Sequence, residues 1–160
     1  MKKAISSVMF CLLLVAMLNS QEKINFKMTS FSGYYLRDTR NDNLIQICNI
    51  SLEKLNSLFG KAPQINNGKY EYWFESKINP PYFSISEDNI QWRGLDYIAL
   101  EGSLIKGKIY IGMTTEEALK ALGEPESTRQ GALKYYMWKK ISANFRLGFE
   151  ENGKLFEIRM

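Results

Sequence analysis

Three aromatic residues and two arginines, Trp73, Tyr136, Trp138, Arg146 and Arg159, are the side chains of this chain best suited to act on something outside it. Large rings and guanidinium groups carry a disproportionate share of the energy at protein contacts, so the chemistry such a set supports is recognition. Bond-breaking chemistry has little to build on. The chain contains no histidine, which removes the commonest general base and the commonest metal ligand together. Ser-His-Asp and Cys-His arrangements are excluded with it, as are His-based zinc sites. There is no Walker-type loop, no Gly-x-Gly-x-x-Gly and no regular calcium loop. The acidic residues fall in the first turns of expected helices and in expected hairpin turns, where solvated charges normally sit. The expectation is a protein that is not an enzyme, with no catalytic residues, no cofactor and no metal. A carboxylate enzyme or a small-ligand carrier is the alternative, and it requires two inward carboxylates at a defined separation or a closed pocket.

Composition narrows the context. Lys2 and Lys3 precede an apolar run over residues 8–18, and Asn19-Ser20-Gln21-Glu22 then turns polar. This is the layout of a secretory signal peptide, expected over 1–20, and the run is shorter than the roughly 20 apolar residues a bilayer span requires. An anchor that stays attached is the alternative. Cys11 lies inside the apolar run, and Val8-Met9-Phe10 before it lacks the small residues of a lipid-attachment signal. Residues 21–160 have the size of one domain. The whole chain carries 21 basic and 17 acidic residues; without Lys2 and Lys3 the counts are 19 and 17. That balance, with no basic run, does not suit nucleic acid. Cys48 is the single thiol left, so no internal disulfide can form; within the apolar stretch 44–50 it reads as a buried, inert thiol, with a reactive or intermolecular thiol as the alternative.

The elements that must position the aromatic and cationic residues follow a pattern that occurs twice. The clearer copy runs Gly112-Met113-Thr114 through Leu122-Gly123-Glu124-Pro125 to Gly131 and Lys134-Tyr135-Tyr136-Met137-Trp138. Thr114 with Glu117 three residues on forms a capping box, and Gly123 followed by Pro125 ends the helix. The fainter copy starts at Ser51, continues through Leu52, Leu55, Leu58 and Phe59 to Gly60 and Pro63, then reaches Gly68, Tyr70, Tyr72 and Trp73. Both copies space their two glycines by eight. Strands are expected within 24–36, at 70–75, in a hairpin over 82–93, and at 95–100, 108–111, 134–140, 143–149 and 154–160, with 62–68 as loop. The fold class is α+β, a tandem of two helix-plus-antiparallel-sheet repeats over about 44–101 and 105–160, with the helices on one sheet face.

Alternation then assigns faces. Ala143, Phe145, Leu147 and Phe149, and likewise Phe156, Ile158 and Met160, belong under the helices. Matching the copies at their glycines pairs Tyr72 with Tyr135 and Trp73 with Tyr136. Tyr136 and Trp138 therefore fall on the face away from the helices, beside Trp73, Arg146 and Arg159, with Lys134 and Lys140 at the rim. The competing expectation packs those rings between the halves.

The second copy resembles the SmpA/OmlA family of outer-membrane assembly lipoproteins. The resemblance rests on Gly112-Met113-Thr114, Leu122-Gly123-x-Pro125, Tyr135-x-x-Trp138, and Leu147-Gly148-Phe149 through Asn152-Gly153-Lys154-Leu155 to Ile158. It covers 108–160 well and 50–75 faintly. The wider fold group is named after the beta-lactamase inhibitor protein, itself a tandem duplication. The resemblance implies the fold; the signal-like start and the aromatic, partly basic sheet face carry the functional expectation, a secreted or periplasmic non-catalytic module that binds another protein, as an inhibitor or immunity protein does. An accessory of envelope assembly, with membrane association, is the alternative. The chain lacks the lipoproteins' lipid-attachment cysteine and the inhibitor's internal disulfide.

Overall fold

Local signals set both helices. In the computed structural model, which describes residues 34–47, 50–74, 80–86 and 89–160, helix α1 spans Leu52–Phe59 and helix α2 spans Thr115–Leu122. Ser51 caps α1 by accepting a hydrogen bond from the Lys54 amide, and Gly60 closes it in the left-handed conformation at φ 68°. Thr114 and Glu117 form the reciprocal capping box of α2. Each accepts from the other's backbone amide, satisfying two donors that a helix start leaves unpaired. Gly123 ends α2 differently from Gly60, at φ 77° and ψ −167°, a region that is essentially glycine-only. The expected signal segment 1–20, Cys48 and most of the expected strand over 24–36 lie outside the described residues.

Twelve strands surround these helices among the described residues. They are β1 Tyr35–Asp38, β2 Asn43–Gln46, β3 Gln64–Asn66, β4 Lys69–Trp73, β5 Tyr82–Ile85, β6 Ile90–Arg93, β7 Ile98–Glu101, β8 Ile109–Tyr110, β9 Ser127–Gln130, β10 Lys134–Met137, β11 Arg146–Phe149 and β12 Leu155–Arg159. They make a four-stranded sheet, β2-β1-β7-β8, and an eight-stranded sheet, β3-β4-β5-β6-β12-β11-β10-β9, with every named pair antiparallel. The class is α+β. Each helix is followed by a four-stranded meander, and the meanders meet at the centre where β6 pairs with β12.

Strands β1 and β2 reach into the segment 37–43, whose polar and charged run reads as loop. Strand β3 falls in the loop expected over 62–68, and β9 where no element is expected. Both are polar edge strands, so neither shows the apolar alternation that marks a half-buried strand. The Asn67-Gly68 turn, with φ of 49° and 73°, forms a two-residue hairpin between β3 and β4. Between β9 and β10 the turn is one residue longer, because Gln130 pairs with Lys134 whereas Asn66 pairs with Lys69.

The core lies on one face of the large sheet. Directly paired residues share a face in an antiparallel ladder, and the pairings link Tyr72, Phe83, Trp92, Ile158, Leu147 and Tyr136 into one row across six strands. All but Tyr136 are fully buried. Phe59 of α1 packs its ring on Tyr72 and Phe83, at 4.6 and 4.7 Å between centroids, and Tyr72 donates to Asn56 of the same helix. Lead-in residues tie α2 to β12: the Gly112 amide donates to Leu155, the Leu155 amide to Met113, and the Thr115 amide to Gly153. The small sheet joins the same core through Leu36, Ile45, Ile98, Leu100 and Ile109.

Candidate functional site

The opposite face of the large sheet carries a different alphabet. Its two central rows read Trp73, Tyr82, Arg93, Glu157, Gly148, Tyr135, Arg129 and Glu71, Ser84, Gln91, Arg159, Arg146, Met137, Ser127. Three of the expected binding residues stand here: Trp73, Arg146 and Arg159. The other two do not. Trp138 is fully buried and donates through Nε1 to the Gly123 carbonyl at 3.0 Å, beneath the end of α2. Tyr136 lies in the core row, its ring edge-on to Phe149 at 5.3 Å. The expectation that both rings share a face with Trp73 is thus corrected. Its physical source is the longer second hairpin, since a one-residue slip exchanges every side chain between faces. By strand pairing Tyr72 matches Tyr136, and the outward ring on β10 is Tyr135. Phe156 is a second correction. The ladder between β11 and β12 shifts at Gly148/Phe149, so that Phe149 pairs with Leu155. This bulge buries Leu155 and leaves Phe156 half-buried, lining a hollow on the open face.

Two carboxylates organise the open face. Glu157, near the centre, is 3% exposed and takes hydrogen bonds from Tyr135 at 3.1 Å, Gln91 at 3.1 Å and the Arg159 guanidinium. Gly148 makes the first of these contacts feasible. It lies between Tyr135 and Glu157 in the ladder, and a Cβ there would stand 2.8 Å from the Tyr135 ring. The absent side chain lets the ring lie across β11 and deliver its hydroxyl to the next strand but one. Burial, and then the Glu157 charge, push the Tyr135 pKa above its usual value. Burial is the largest single influence on Arg159 and works against its charge, but the Glu157 hydrogen bond and the Glu157 charge, with smaller help from Tyr135 and Tyr82, together leave the Arg159 pKa above its ordinary value.

Glu71 organises the other side. It accepts from Trp73 Nε1 at 3.2 Å and from the Tyr82 hydroxyl at 3.1 Å, and pairs with Lys69 at 3.6 Å. The Trp73 and Tyr82 rings sit 4.3 Å apart. Arg93 pairs with Glu157 in the ladder, yet its guanidinium turns to these rings, 5.5 Å from Trp73 and 5.3 Å from Tyr82. Trp73 remains 36% exposed. Arg146 likewise lies 5.7 Å over the Tyr135 ring. The arrangement holds flat aromatic surfaces and cations in fixed relation, at a low cost in side-chain freedom on binding. Beside it lies an open hollow of about 680 Å³ lined by Arg93, Tyr135, Phe156, Glu157 and Arg159, with Glu150 and Glu151 at one end.

Tyr82, Arg93, Gln91, Tyr135 and Glu157 are the site residues that sequence spacing misses. Their signal is polar alternation within apolar strands: Gln91 and Arg93 flank Trp92, and Glu157 and Arg159 flank Ile158. Among the described residues no cluster of three or more metal-binding side chains occurs, and no helix is long and apolar enough to cross a membrane. Compared with protein-family models, with curated proteins and with solved structures, the chain gives no match.

Proposed function

We propose that this chain is a non-catalytic protein-binding module that docks its partner on the open face of the eight-stranded sheet, as an inhibitor or immunity protein does. The observation that carries this reading is the Trp73–Tyr82–Arg93 stack beside the Glu157 network. The contacts of the helices with the large sheet, Phe59 and Asn56 to Tyr72 and Gly123 to Trp138, lie on the other face. Tyr82 is buried beneath the stack, and it holds the exposed Trp73 ring and the partly exposed Arg93 in place; a fixed aromatic ring and arginine are the composition of interface hot spots. We further propose export, on the strength of the signal-like segment at 1–20; the test is the intact mass of the native protein, which should lack those residues, and a mass that retains them would overturn it.

The two halves are read as copies of one β-β-α-β-β-β-β unit in the tandem manner of the beta-lactamase inhibitor protein group, over 35–93 and 98–159 in place of the expected 44–101 and 105–160, because β7 begins the second unit and does not close the first. What supports this is the order of pairing. Strand β1 meets β7 at the middle of the small sheet, and β6 meets β12 at the middle of the large one. The docking reading is tested by a photo-reactive p-benzoylphenylalanine placed at Trp73 and, as a control, at the exposed Lys120 of α2. The expected outcome is a protein adduct in the native exported fraction from position 73 and none from position 120. Adducts from position 120 alone would overturn the reading.

A further inference from the structure

The open face carries five cations, Lys69, Arg93, Arg129, Arg146 and Arg159, against two carboxylates, Glu71 and Glu157. Lys69 pairs with Glu71 and Arg159 with Glu157. Arg93, Arg129 and Arg146 have no carboxylate partner among the described residues. Two of the three are also pre-positioned, Arg93 over Trp73 and Tyr82 and Arg146 over Tyr135. The Nε of each is shut off from solvent and makes no hydrogen bond. With Nε covered, the Nη1 and Nη2 groups are the part of each guanidinium that a partner can reach. A guanidinium plane fixed by stacking presents its edge as a rigid fork, the shape that a carboxylate meets with two parallel bonds.

Resting on the reading of this face as a docking surface, we infer that its partner presents an acidic segment whose carboxylates are received by Arg93 and Arg146. The chemistry favours discrete carboxylates over a continuous polyanion. A nucleic-acid backbone crossing the face would also run over Glu157, at its centre, and past Glu150 and Glu151 beside it. A second copy is a poor occupant, because two such faces brought together set arginine against arginine.

The test uses the full chain labelled with ¹⁵N and follows the Nε–Hε resonances of its arginines. The probes are oligoglutamate, with oligoglutamine and oligothymidylate as comparisons. Oligoglutamate should shift the Arg93 and Arg146 resonances saturably, and oligoglutamine should not. Arg93→Gln with Arg146→Gln should weaken that binding by about tenfold or more. Arg93→Lys, which keeps the charge and loses the fork, should also weaken it. Unsaturable shifts, shifts confined to other surfaces, tighter binding of oligothymidylate, or peptide-free self-association that moves the same resonances would each overturn the inference. If oligoglutamate fails while position 73 still cross-links to a protein, the docking reading survives and only the acidic chemistry falls. If position 73 gives no adduct either, both fall.

Discussion

Trp138→Ala separates the two faces most sharply, because spacing in the sequence places this ring outward and the structure places it in the core. The indole is fully buried, 6.2 Å from the rings of both Tyr136 and Phe145, and its Nε1 bonds the carbonyl that ends α2. Removing a buried tryptophan costs about 3–5 kcal/mol, a large share of the roughly 5–15 kcal/mol that holds a domain together. Trp138→Phe keeps most of the packing but leaves the Gly123 carbonyl without its donor, at about 1–3 kcal/mol. Trp73→Ala removes a partly exposed ring paired with Tyr82 and should cost about 1–2 kcal/mol. Equilibrium urea denaturation followed by far-ultraviolet circular dichroism reads all three without relying on tryptophan fluorescence. The order of midpoints should be wild type, then Trp73→Ala and Trp138→Phe, then Trp138→Ala well below. A Trp138→Ala midpoint no lower than that of Trp73→Ala would refute the β10 register and restore the outward assignment.

Other expectations follow from single contacts. Gly123→Ala should cost about 1–3 kcal/mol through backbone strain alone, since a Cβ there meets nothing closer than Lys140 Nζ at 3.6 Å; a midpoint within error of wild type contradicts it. Thr114→Ala should lose about 0.5–2 kcal/mol with the capping box, read by the same denaturation. Gly148→Ala should push the Tyr135 ring off β11, so the Tyr135 pKa, titrated by NMR, should fall back toward the ordinary tyrosine value as the ring loses its burial and its hydroxyl leaves Glu157; an unchanged pKa contradicts it. The Asp38 carboxyl is buried and held below its usual pKa first by the Arg40 hydrogen bond. Because the folded value lies below the unfolded one, its stabilisation is complete above the unfolded pKa of about 3.9 and is lost as pH falls through the lowered folded value. The stability gap between wild type and Asp38→Asn should therefore narrow in acid and stay constant above about pH 5.

What the sequence discloses and what it hides divide along local and non-local lines. Ser51 to Gly60 and Thr114 to Gly123 are read correctly because a cap involves residues three or four apart. The hairpins over 82–93 and 143–160 are legible for the same reason, and Phe145, Leu147 and Phe149 face inward as alternation requires, whereas Ala143 lies exposed before β11 begins at Arg146. Strands β3 and β9 are hidden because an exposed edge strand needs no apolar face. The error at Tyr136 and Trp138 has a different origin. Equal glycine spacing matches Gly68, the last residue of a two-residue turn, with Gly131, the first of a three-residue turn; strand pairing instead matches Tyr72 with Tyr136, one residue on, and a period of two turns that slip into a reversal of faces. Trp92, the largest ring at the centre of the core, shows no such ambiguity: it lies between Gln91 and Arg93, and the same alternation that buries it sends both outward.

The central claim is that the open face, not the helical side, meets a partner. The most direct test is calorimetric affinity of the protein captured at position 73 for wild type, Arg93→Ala, Trp73→Ala and Lys120→Ala, with each variant's fold checked by its unfolding midpoint. The open-face variants should each lose at least about 2 kcal/mol of binding, and Lys120→Ala less than about 0.5 kcal/mol. Equal losses across all three, or a loss confined to Lys120→Ala, would contradict it.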